Sequence, residues 1–280
     1  MRHKVSLSPF HSILFDRPES SIGLDEAAEP AFFGDLHLDQ VLASIVAGHE
    51  EYDLKPFFNA ALHDVAAVRY RHEVLRDLEK SEVLESIQAF VQQMRRIRAH
   101  LAQAEKRYYA LEKERWFLDA VEIYCATVRT LTDQLTILGV DSPGLQAFLE
   151  YLHGYTASGG FTSLVAETEA LREALAAVKY MVQISGSRVT VSGYSGEADY
   201  SVQVDETFAK FREGAGRDEL VKLRDGVEMN HVEAQILELV ARLHPDVFAG
   251  LDDYCARRRG YLEKTISEWG YPLYSTCYHR

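Results

Sequence analysis

The residues whose types and spacing suggest chemistry are histidines and carboxylates that lie close together. His49-Glu50-Glu51, His72-Glu73 and His231-Val232-Glu233 each combine two kinds of metal ligand. A metal site on one helix face needs a further ligand about four residues away, and none of these groups has a second histidine at that spacing. Solvated or helix-capping side chains explain the groups better, so we expect no metal ligands in this chain.

Motifs for nucleotide binding and nucleophilic catalysis are missing from the sequence. The chain has no GxxxxGK[ST] phosphate loop, no GxGxxG turn and no GxSxG nucleophile elbow. Its 43 acidic residues provide many neighbouring carboxylates, but none is singled out by an apolar setting that would raise its pKa. We therefore expect no catalytic residues, no cofactor and no enzyme activity in this chain itself.

Basic residues provide a second kind of candidate site, because Lys and Arg side chains bind nucleic-acid phosphates. One interpretation is contact with the DNA backbone, through the hairpin cations Lys179 and Arg188 or through an arginine cluster on a long helix. The other is ordinary helix-surface charge, in which Glu105, Glu112 and Glu114 pair with nearby cations. Both interpretations remain open. The long-helix cluster is Arg95, Arg96 and Arg98, and further cations occur at Lys106, Arg107, Lys113, Arg115 and 257–259.

Composition limits the class of protein. The chain has 280 residues, 47% of them hydrophobic, which is enough for a sizeable core. The formal net charge of -13 repels DNA at long range unless cations cluster on one surface. The cysteines Cys125, Cys255 and Cys277 are widely spaced, as is typical of reduced thiols. With no secretory signal and no apolar run of about 20 residues, we expect a soluble cytoplasmic protein without a membrane partner.

The hydrophobic periodicity is mostly helical. Apolar residues recur at steps of three and four, most regularly from Ser81 to Gly139, where we predict two antiparallel helices with a break between about Ala110 and Arg115. Alternation from Tyr180 to Ser192 predicts a β-hairpin that turns at Gly186. The predicted fold class is mainly α, an elongated bundle of long antiparallel helices with a small β-hairpin insertion. A weaker third strand is predicted at Tyr200, Val202 and Val204.

These patterns divide the chain into four segments. Residues 1–34 form an irregular N-terminal segment, and 35–178 form the first part of the helical core. Residues 179–227 hold the hairpin and a charged connector, and 228–280 hold returning helices and a tail. The last helix is expected from about Pro245 to Trp269. The predicted helix N-caps are Asp53, Asp64, Ser81 and Asn230.

The region that follows Asp53 resembles the start of the core, or lever, domain of the MutS family of mismatch-recognition ATPases. In that family a phrase of the type P-L-x-D-x-x-x-I-x-x-R-x-x-x-V-x-x-L opens the lever, and this chain has Ala61 where the family often has Pro. The stretch from Asn230 to Ala256 resembles the returning lever of bacterial MutS-like proteins. The matching positions of the opening phrase are Leu62, Asp64, Val68, Arg71, Val74 or Leu75, and Leu78.

The resemblance covers most of 35–265 and implies a lever that leads to a DNA-contacting clamp, with 179–227 as the clamp-like part. In the family, a phosphate-loop ATPase domain follows the lever, and the chain ends about where that domain would begin. The mismatch wedge Phe-x-Glu of the family is also absent, since Phe148-Leu149-Glu150 and Phe211-Arg212-Glu213 match it only in the wrong context. The resemblance implies a DNA mismatch repair protein that is an ATPase and a homodimer when intact, with double-stranded DNA bound through phosphates. The alternative is a helical protein–protein interaction adaptor with no nucleic-acid role.

Overall fold

The structure is a computed structural model that describes residues 12–15, 29–47, 55–60, 62, 64–186, 188–196 and 229–277. The described part is mainly α-helical with one antiparallel hairpin, which confirms the predicted fold class. The helices are α1 (Phe32–Asp35), α2 (Leu38–Val46), α3 (Lys55–Asn59), α4 (Val65–Leu78), α5 (Ser81–Lys106), α6 (Ala110–Leu138), α7 (Pro143–Thr156), α8 (Gly159–Ala176), α9 (His231–Leu243) and α10 (Pro245–Cys277), and the strands are β1 (Tyr180–Ser185) and β2 (Arg188–Gly193).

Helices α5 and α6 form the long antiparallel pair that the sequence predicts. They have 26 and 29 residues, which correspond to lengths of about 39 and 44 Å. The apolar stripe of α5 is buried against α6, which contributes Phe117, Tyr124 and Leu131 to the same core. Burial of these two stripes is the main force that holds the pair together.

The break between α5 and α6 lies at residues 107–109, earlier than the predicted position between Ala110 and Arg115. No Gly or Pro marks it, so the backbone turns for tertiary reasons. The Arg107 guanidinium is buried, with its Nε 3.6 Å from Glu112 Oε1 and its Cζ 4.9 Å from the Trp116 ring centroid. Tyr108 lies within the run where apolar residues recur at steps of three and four, but at the turn its side chain is 89% exposed.

A buried carboxylate joins α4 to the start of α7. Asp77 is 2% exposed and accepts hydrogen bonds from the backbone N–H groups of Asp141 and Ser142 and from Lys80 Nζ. Burial alone would raise the pKa of Asp77, but the hydrogen bonds from Ser142, Lys80 and Asp141 outweigh it and hold that pKa below its usual value. The carboxylate therefore stays charged at neutral pH and supports the first turn of α7, where Ser142 is the N-cap.

The described N-terminal residues pack against this same junction. Ile13, Leu14 and Phe15 are buried, and Tyr70 Oη on α4 donates to Ser12 O over 3.2 Å. A Cβ added at Gly144 would lie 3.0 Å or less from Tyr70 Oη, Val74 Cγ2 and Ile13 O. Glycine at the start of α7 thus permits three segments to meet closely, and residues 12–15 belong to the core although they have no regular structure.

Helix α10 returns along the bundle and is tied to it by tyrosine hydroxyl groups. Tyr155 Oη lies 2.6 Å from Tyr124 Oη and 2.8 Å from Tyr261 Oη, so α6, α7 and α10 share one chain of hydrogen bonds. Tyr254 Oη lies 2.6 Å from Thr168 Oγ1 on α8. Buried hydroxyl groups require such partners, and these pairs fix the register of α10 against the bundle.

The helix boundaries confirm part of the prediction. Asp64 and Asn230 are N-caps, and Asn230 forms a capping box with Glu233. The prediction for Ser81 was wrong, because Lys80 is the N-cap residue and Ser81 begins α5. Helix α10 continues to Cys277, beyond the predicted end at Trp269, although Gly270 and Pro272 interrupt its sequence. The predicted cap Asp53, the third strand at Tyr200, Val202 and Val204, and the connector to 227 lie outside the described residues.

Candidate nucleic-acid interface

The hairpin places its two candidate cations at opposite ends. Lys179 directly precedes β1, and its Nζ lies 5.6 Å from the centre of the Tyr194 ring. Arg188 begins β2 and pairs with Ser185 beside the turn. Six residues of strand separate the two positions, a distance of about 20 Å. Lys179 and Arg188 therefore do not form one cluster, and any contact they make must be with separate phosphates.

The hairpin differs in charge from the rest of the chain. Residues 179–196 contain Lys179 and Arg188 but no Asp or Glu, within a chain whose formal net charge is -13. Arg188 is exposed, and no ion pair involves it in the described part of the chain. Since these 18 positions hold no carboxylate, nothing within the hairpin sequence neutralises its two positive charges. Contact with phosphate requires positive charge that is not neutralised in this way.

One face of the hairpin is apolar and partly exposed. Because successive strand residues point to opposite faces, Tyr180, Val182 and Ile184 share a face, and they are 43%, 37% and 71% exposed. They pair across the strands with Gly193, Val191 and Val189. Helix α9 packs against β2. At the base, His244 Nε2 donates to Lys179 O over 3.2 Å, which anchors the hairpin to the α9–α10 corner.

The alternative patch on α5 is not a single exposed surface. Arg96 is exposed, whereas Arg95 and Arg98 are half-buried one turn apart. Arg98 Nε donates to Met94 O on its own helix over 3.4 Å. Of the three arginines proposed from the sequence, Arg96 is the one that is open to phosphate.

The arginines of α10 are held by carboxylates of neighbouring helices. Arg258 Nη2 lies 2.6 Å from Glu167 Oε1 on α8, and Arg257 bonds to both Glu167 and Asp253. Arg259 pairs with Glu105 of α5. The hydrogen bond from Arg258 is the main cause that lowers the pKa of Glu167. The surface-charge interpretation is therefore the better one for 257–259, and most of the partners come from distant helices rather than from four-residue spacing.

Of the histidine groups considered as metal ligands, the one at the start of α9 has other contacts. Glu233 accepts from Asn230 N in the capping box, and His231 Nδ1 lies 3.3 Å from Tyr109 Oη. His72 and Glu73 are exposed on α4, and His49-Glu50-Glu51 lies outside the described residues. No group of three His, Cys, Asp or Glu side chains gathers around one point within the described ranges. No helix in those ranges is long and apolar enough to cross a membrane.

Two kinds of titratable group have shifted pKa values that were not predicted from the sequence. Glu114 on α6 is half-buried with Oε2 unpartnered, and burial, followed by repulsion from Asp252, raises its pKa from 4.5 to about 7. This contradicts the expectation that no carboxylate has an apolar setting. The reason is tertiary, because α10 covers Glu114 and brings Asp252 near it. Burial also raises the pKa of the Cys125 and Cys255 thiols to about 12, so both stay protonated.

A cavity of about 200 Å³ beside α4, with Arg71 among its lining residues, was also not found from the sequence. Its walls combine the N-terminal residue Leu14 with one face of α4, and only the folded chain brings these segments together. The sequence pattern identified Arg71 as a motif position but gave no sign of the cavity.

Comparison with known proteins gives no family assignment: no protein-family model, curated protein or solved structure matches this chain.

Proposed function

We propose that this chain is the lever and clamp region of a MutS-like DNA mismatch repair protein, and that it couples DNA contact to an ATPase domain outside the sequence described here. The observation that carries the proposal is the hairpin at residues 180–193, inserted between outgoing and returning helices of a long helical bundle. In this proposal the chain itself does not hydrolyse ATP, and it binds double-stranded DNA through phosphates in a homodimer of the intact protein.

The residues at 62–78 that match the opening phrase of the MutS lever support the proposal by their positions in the fold. Asp64 caps α4 by accepting from Ala66 N over 2.9 Å, and Val74 and Leu78 are buried in the core of the bundle. Arg71 Nε donates to Leu14 O over 3.2 Å. The motif positions therefore have the roles that an opening lever helix needs, namely a cap, a core stripe and a contact with the preceding chain.

The attachment of the hairpin to the helices supports a role in passing motion between the hairpin and the bundle. Helix α8 leads to the hairpin, and α10 returns bonded to α8 through Arg258–Glu167 and Tyr254–Thr168. Tyr261 joins α10 to the core of the bundle through Tyr155. A force on the hairpin therefore acts on helices that are bonded to the long α5–α6 pair. Coupling to a motor would require two packings of these helices with different affinities for DNA.

Fluorescence anisotropy with a labelled duplex at low salt tests the proposal. We expect weak, sequence-independent binding, which the Lys179→Glu, Arg188→Glu double variant reduces. The matched control is Arg69→Glu, Arg76→Glu, which makes the same charge change at two exposed positions of α4. Equal losses of affinity for the duplex in the two double variants would mean that only net charge matters. The hairpin would then not be the DNA contact.

A second candidate function is favoured by the exposed apolar face of the hairpin, where Ile184 is 71% exposed. Such a face is typical of protein interaction surfaces, and it fits the adaptor alternative. The same titration separates the two functions. Absence of any binding to the duplex at low salt would remove the DNA role from this chain and favour the adaptor.

A further inference from the structure

A groove lies between the first turns of α5 and the last turn of α6, and its volume is about 430 Å³. The residues that line it follow one another at steps of three and four along each helix, so they share one face of that helix. Because α5 and α6 are antiparallel neighbours, the groove has the shape in which a third helix packs. Its main lining residues are Glu82, Glu85 and Ala89 of α5 and Gln134, Ile137 and Leu138 of α6.

The α5 wall of the groove is negatively charged. Glu82 and Glu85 are exposed, and neither forms an ion pair with a described residue. Glu82 Oε2 accepts a hydrogen bond from the neighbouring Ser81 Oγ over 3.2 Å, and the nearby cation Lys80 is held by two other carboxylates. Glu82 lies in the first turn of α5, where it favours the helix N-terminus, but Glu85 lies beyond that turn.

The end of α6 adds to this negative charge. The last carbonyl groups of a helix lack partners within the helix and carry a partial negative charge. Helix α6 ends beside the groove with no basic residue in its last turn. The stretches that form the two walls, 81–94 and 130–142, contain no Lys, Arg or His. The groove therefore presents carboxylates and helix carbonyls that no cation of these stretches balances.

The α6 wall of the groove is apolar and open. Ile137 is 83% exposed and Leu138 is 37% exposed, whereas α6 buries most of its other large apolar side chains. On the α5 wall the side chain of Ala89 ends at Cβ, which leaves room for an apolar group between the two helices. Exposed aliphatic side chains that are bordered by polar groups are typical of contacts with another protein.

We propose that this groove binds a basic amphipathic helix of another protein. The apolar stripe of that helix packs on Ala89, Ile137 and Leu138, and Lys or Arg side chains beside the stripe pair with Glu82 and Glu85. An amphipathic helix is recognised in this way when its apolar face lies in a groove between helices. The charge of the groove selects against DNA, whose phosphates the carboxylates repel, and against a second copy of this chain, whose formal net charge is -13.

This inference is independent of the proposed DNA role, because the groove and the hairpin lie toward opposite ends of α6. Glu169 of α8 pairs with Arg129 of α6, and Arg172 pairs with Asp119. Helix α8 therefore runs toward the start of α6 as it approaches the hairpin. The groove is at the other end of α6, and the fifteen residues from 119 to 134 span about 22 Å.

The probe for the test is a fluorescein-labelled helical peptide of about 15 residues, built from Leu, Ala and Lys with Leu at steps of three and four. The reference peptide contains the same residues in an order that has no apolar stripe. Because the groove extends over only about two turns of each helix, we expect a dissociation constant on the order of 10–100 μM for the striped peptide. The shuffled peptide, which has the same charge, should bind at least about tenfold more weakly.

The test is titration of the full chain with both peptides, followed by anisotropy and by NMR of labelled Ile and Leu methyl groups. We expect one saturable site, with shifts at the methyls of Ile137 and Leu138.

Variants separate the two walls. Glu82→Lys, Glu85→Lys should lose at least about tenfold in affinity for the striped peptide, whereas Glu150→Lys, Glu173→Lys, which makes the same charge change at exposed positions of α7 and α8, should lose less than about threefold. Ile137→Ser should lose at least about fivefold, whereas Ile184→Ser on the hairpin should bind as the unmodified chain does.

Several outcomes would overturn the proposal. They are absence of saturable binding at concentrations up to about tenfold above the expected constant, equal binding of the striped and shuffled peptides, methyl shifts confined to other parts of the chain, and equal losses of affinity in the two charge-reversal variants. Self-association of the unmodified chain in sedimentation that Ile137→Ser abolishes would assign the groove to a second copy instead. If a variant does not fold, as judged by circular dichroism, the two peptides and the methyl shifts on the unmodified chain decide the question.

Discussion

Asp77 accepts a hydrogen bond of 2.7 Å from the backbone N–H of Ser142, a residue 65 positions away in the sequence. This bond, with a second from Asp141 N, holds the start of α7 against the end of α4. Since the carboxylate is almost completely buried, it acts as a fixed anion beneath a helix N-terminus, where negative charge is favourable.

Replacement of Asp77 by Ala should destabilise the chain by about 2–4 kcal/mol, because the backbone donors at 141 and 142 lose their acceptor inside the protein. Urea denaturation followed by circular dichroism measures the cost. The control is Asp141→Ala, which removes the exposed partner of Lys80 and should cost no more than about 0.5 kcal/mol. Equal costs for the two variants would contradict the role assigned to Asp77.

Glu114 makes the stability of the chain depend on pH. Its pKa is raised from 4.5 to about 7 in the folded state, so folding favours the protonated form. The free energy of unfolding should therefore fall as pH rises from about 4.5 to 7, by about 1–3 kcal/mol, and then stay level with respect to this group.

The Glu114→Gln variant cannot ionise at this position and should not lose stability as the pH rises. It should therefore be more stable than the unmodified chain at pH 8 and similar to it at pH 4. Urea denaturation at both pH values measures the difference, with Glu173→Gln, an exposed carboxylate on α8, as the control. A stabilisation by Glu114→Gln that is the same at pH 4 and pH 8 would have a cause other than titration.

Removal of the Tyr155 hydroxyl should cost about 1–3 kcal/mol, because Tyr124 and Tyr261 each lose a hydrogen bond inside the bundle. The Tyr155→Phe variant keeps the ring that packs against Phe161. In Tyr180→Phe, where the ring is on the exposed face of the hairpin, the free energy of unfolding should change by no more than about 0.5 kcal/mol. A cost for Tyr155→Phe as small as this would mean that the hydroxyl chain does not stabilise the bundle.

The chain should be elongated in solution, as the lengths of α5, α6 and α10 suggest. A compact chain of 280 residues has a radius of gyration of about 19 Å. Small-angle X-ray scattering should give a larger value and a pair-distance distribution with a long tail. A radius of gyration near the compact value would exclude an arm that protrudes from the bundle.

Features that depend on residues close together in the sequence could be predicted from the sequence. The caps Asp64 and Asn230 act on the next turn of the chain, and the hairpin follows from local alternation around Gly186. The α5–α6 break could not be located, because it depends on the buried pair of Arg107 and Glu112 and not on Gly or Pro. Local pattern therefore predicted the elements and two of their caps, whereas the position of the α5–α6 break depends on tertiary contacts.

The candidate site shows the same division. Lys179 and Arg188 could be assigned to one hairpin from the sequence, and the predicted turn at Gly186 already places them at its opposite ends. The ion pairs of the other candidate cations could not be predicted. The partners of Arg258 and Arg259 are Glu167 and Glu105, which are 91 and 154 residues away. A run of basic residues can therefore suggest a phosphate site in the sequence although, in the folded chain, carboxylates distant in the sequence pair with it.

The salt dependence of DNA binding tests the central claim most directly. Each phosphate contact adds about 0.9 to the slope of log K against log salt concentration, so the loss of contacts at Lys179 and Arg188 should flatten the slope by about 1.8. Anisotropy titrations at several salt concentrations, for the unmodified chain and for the Lys179→Glu, Arg188→Glu variant, should differ by that amount, and Arg69→Glu, Arg76→Glu should leave the slope unchanged. Binding whose slope is the same in the hairpin variant and in the unmodified chain would contradict a clamp at this hairpin.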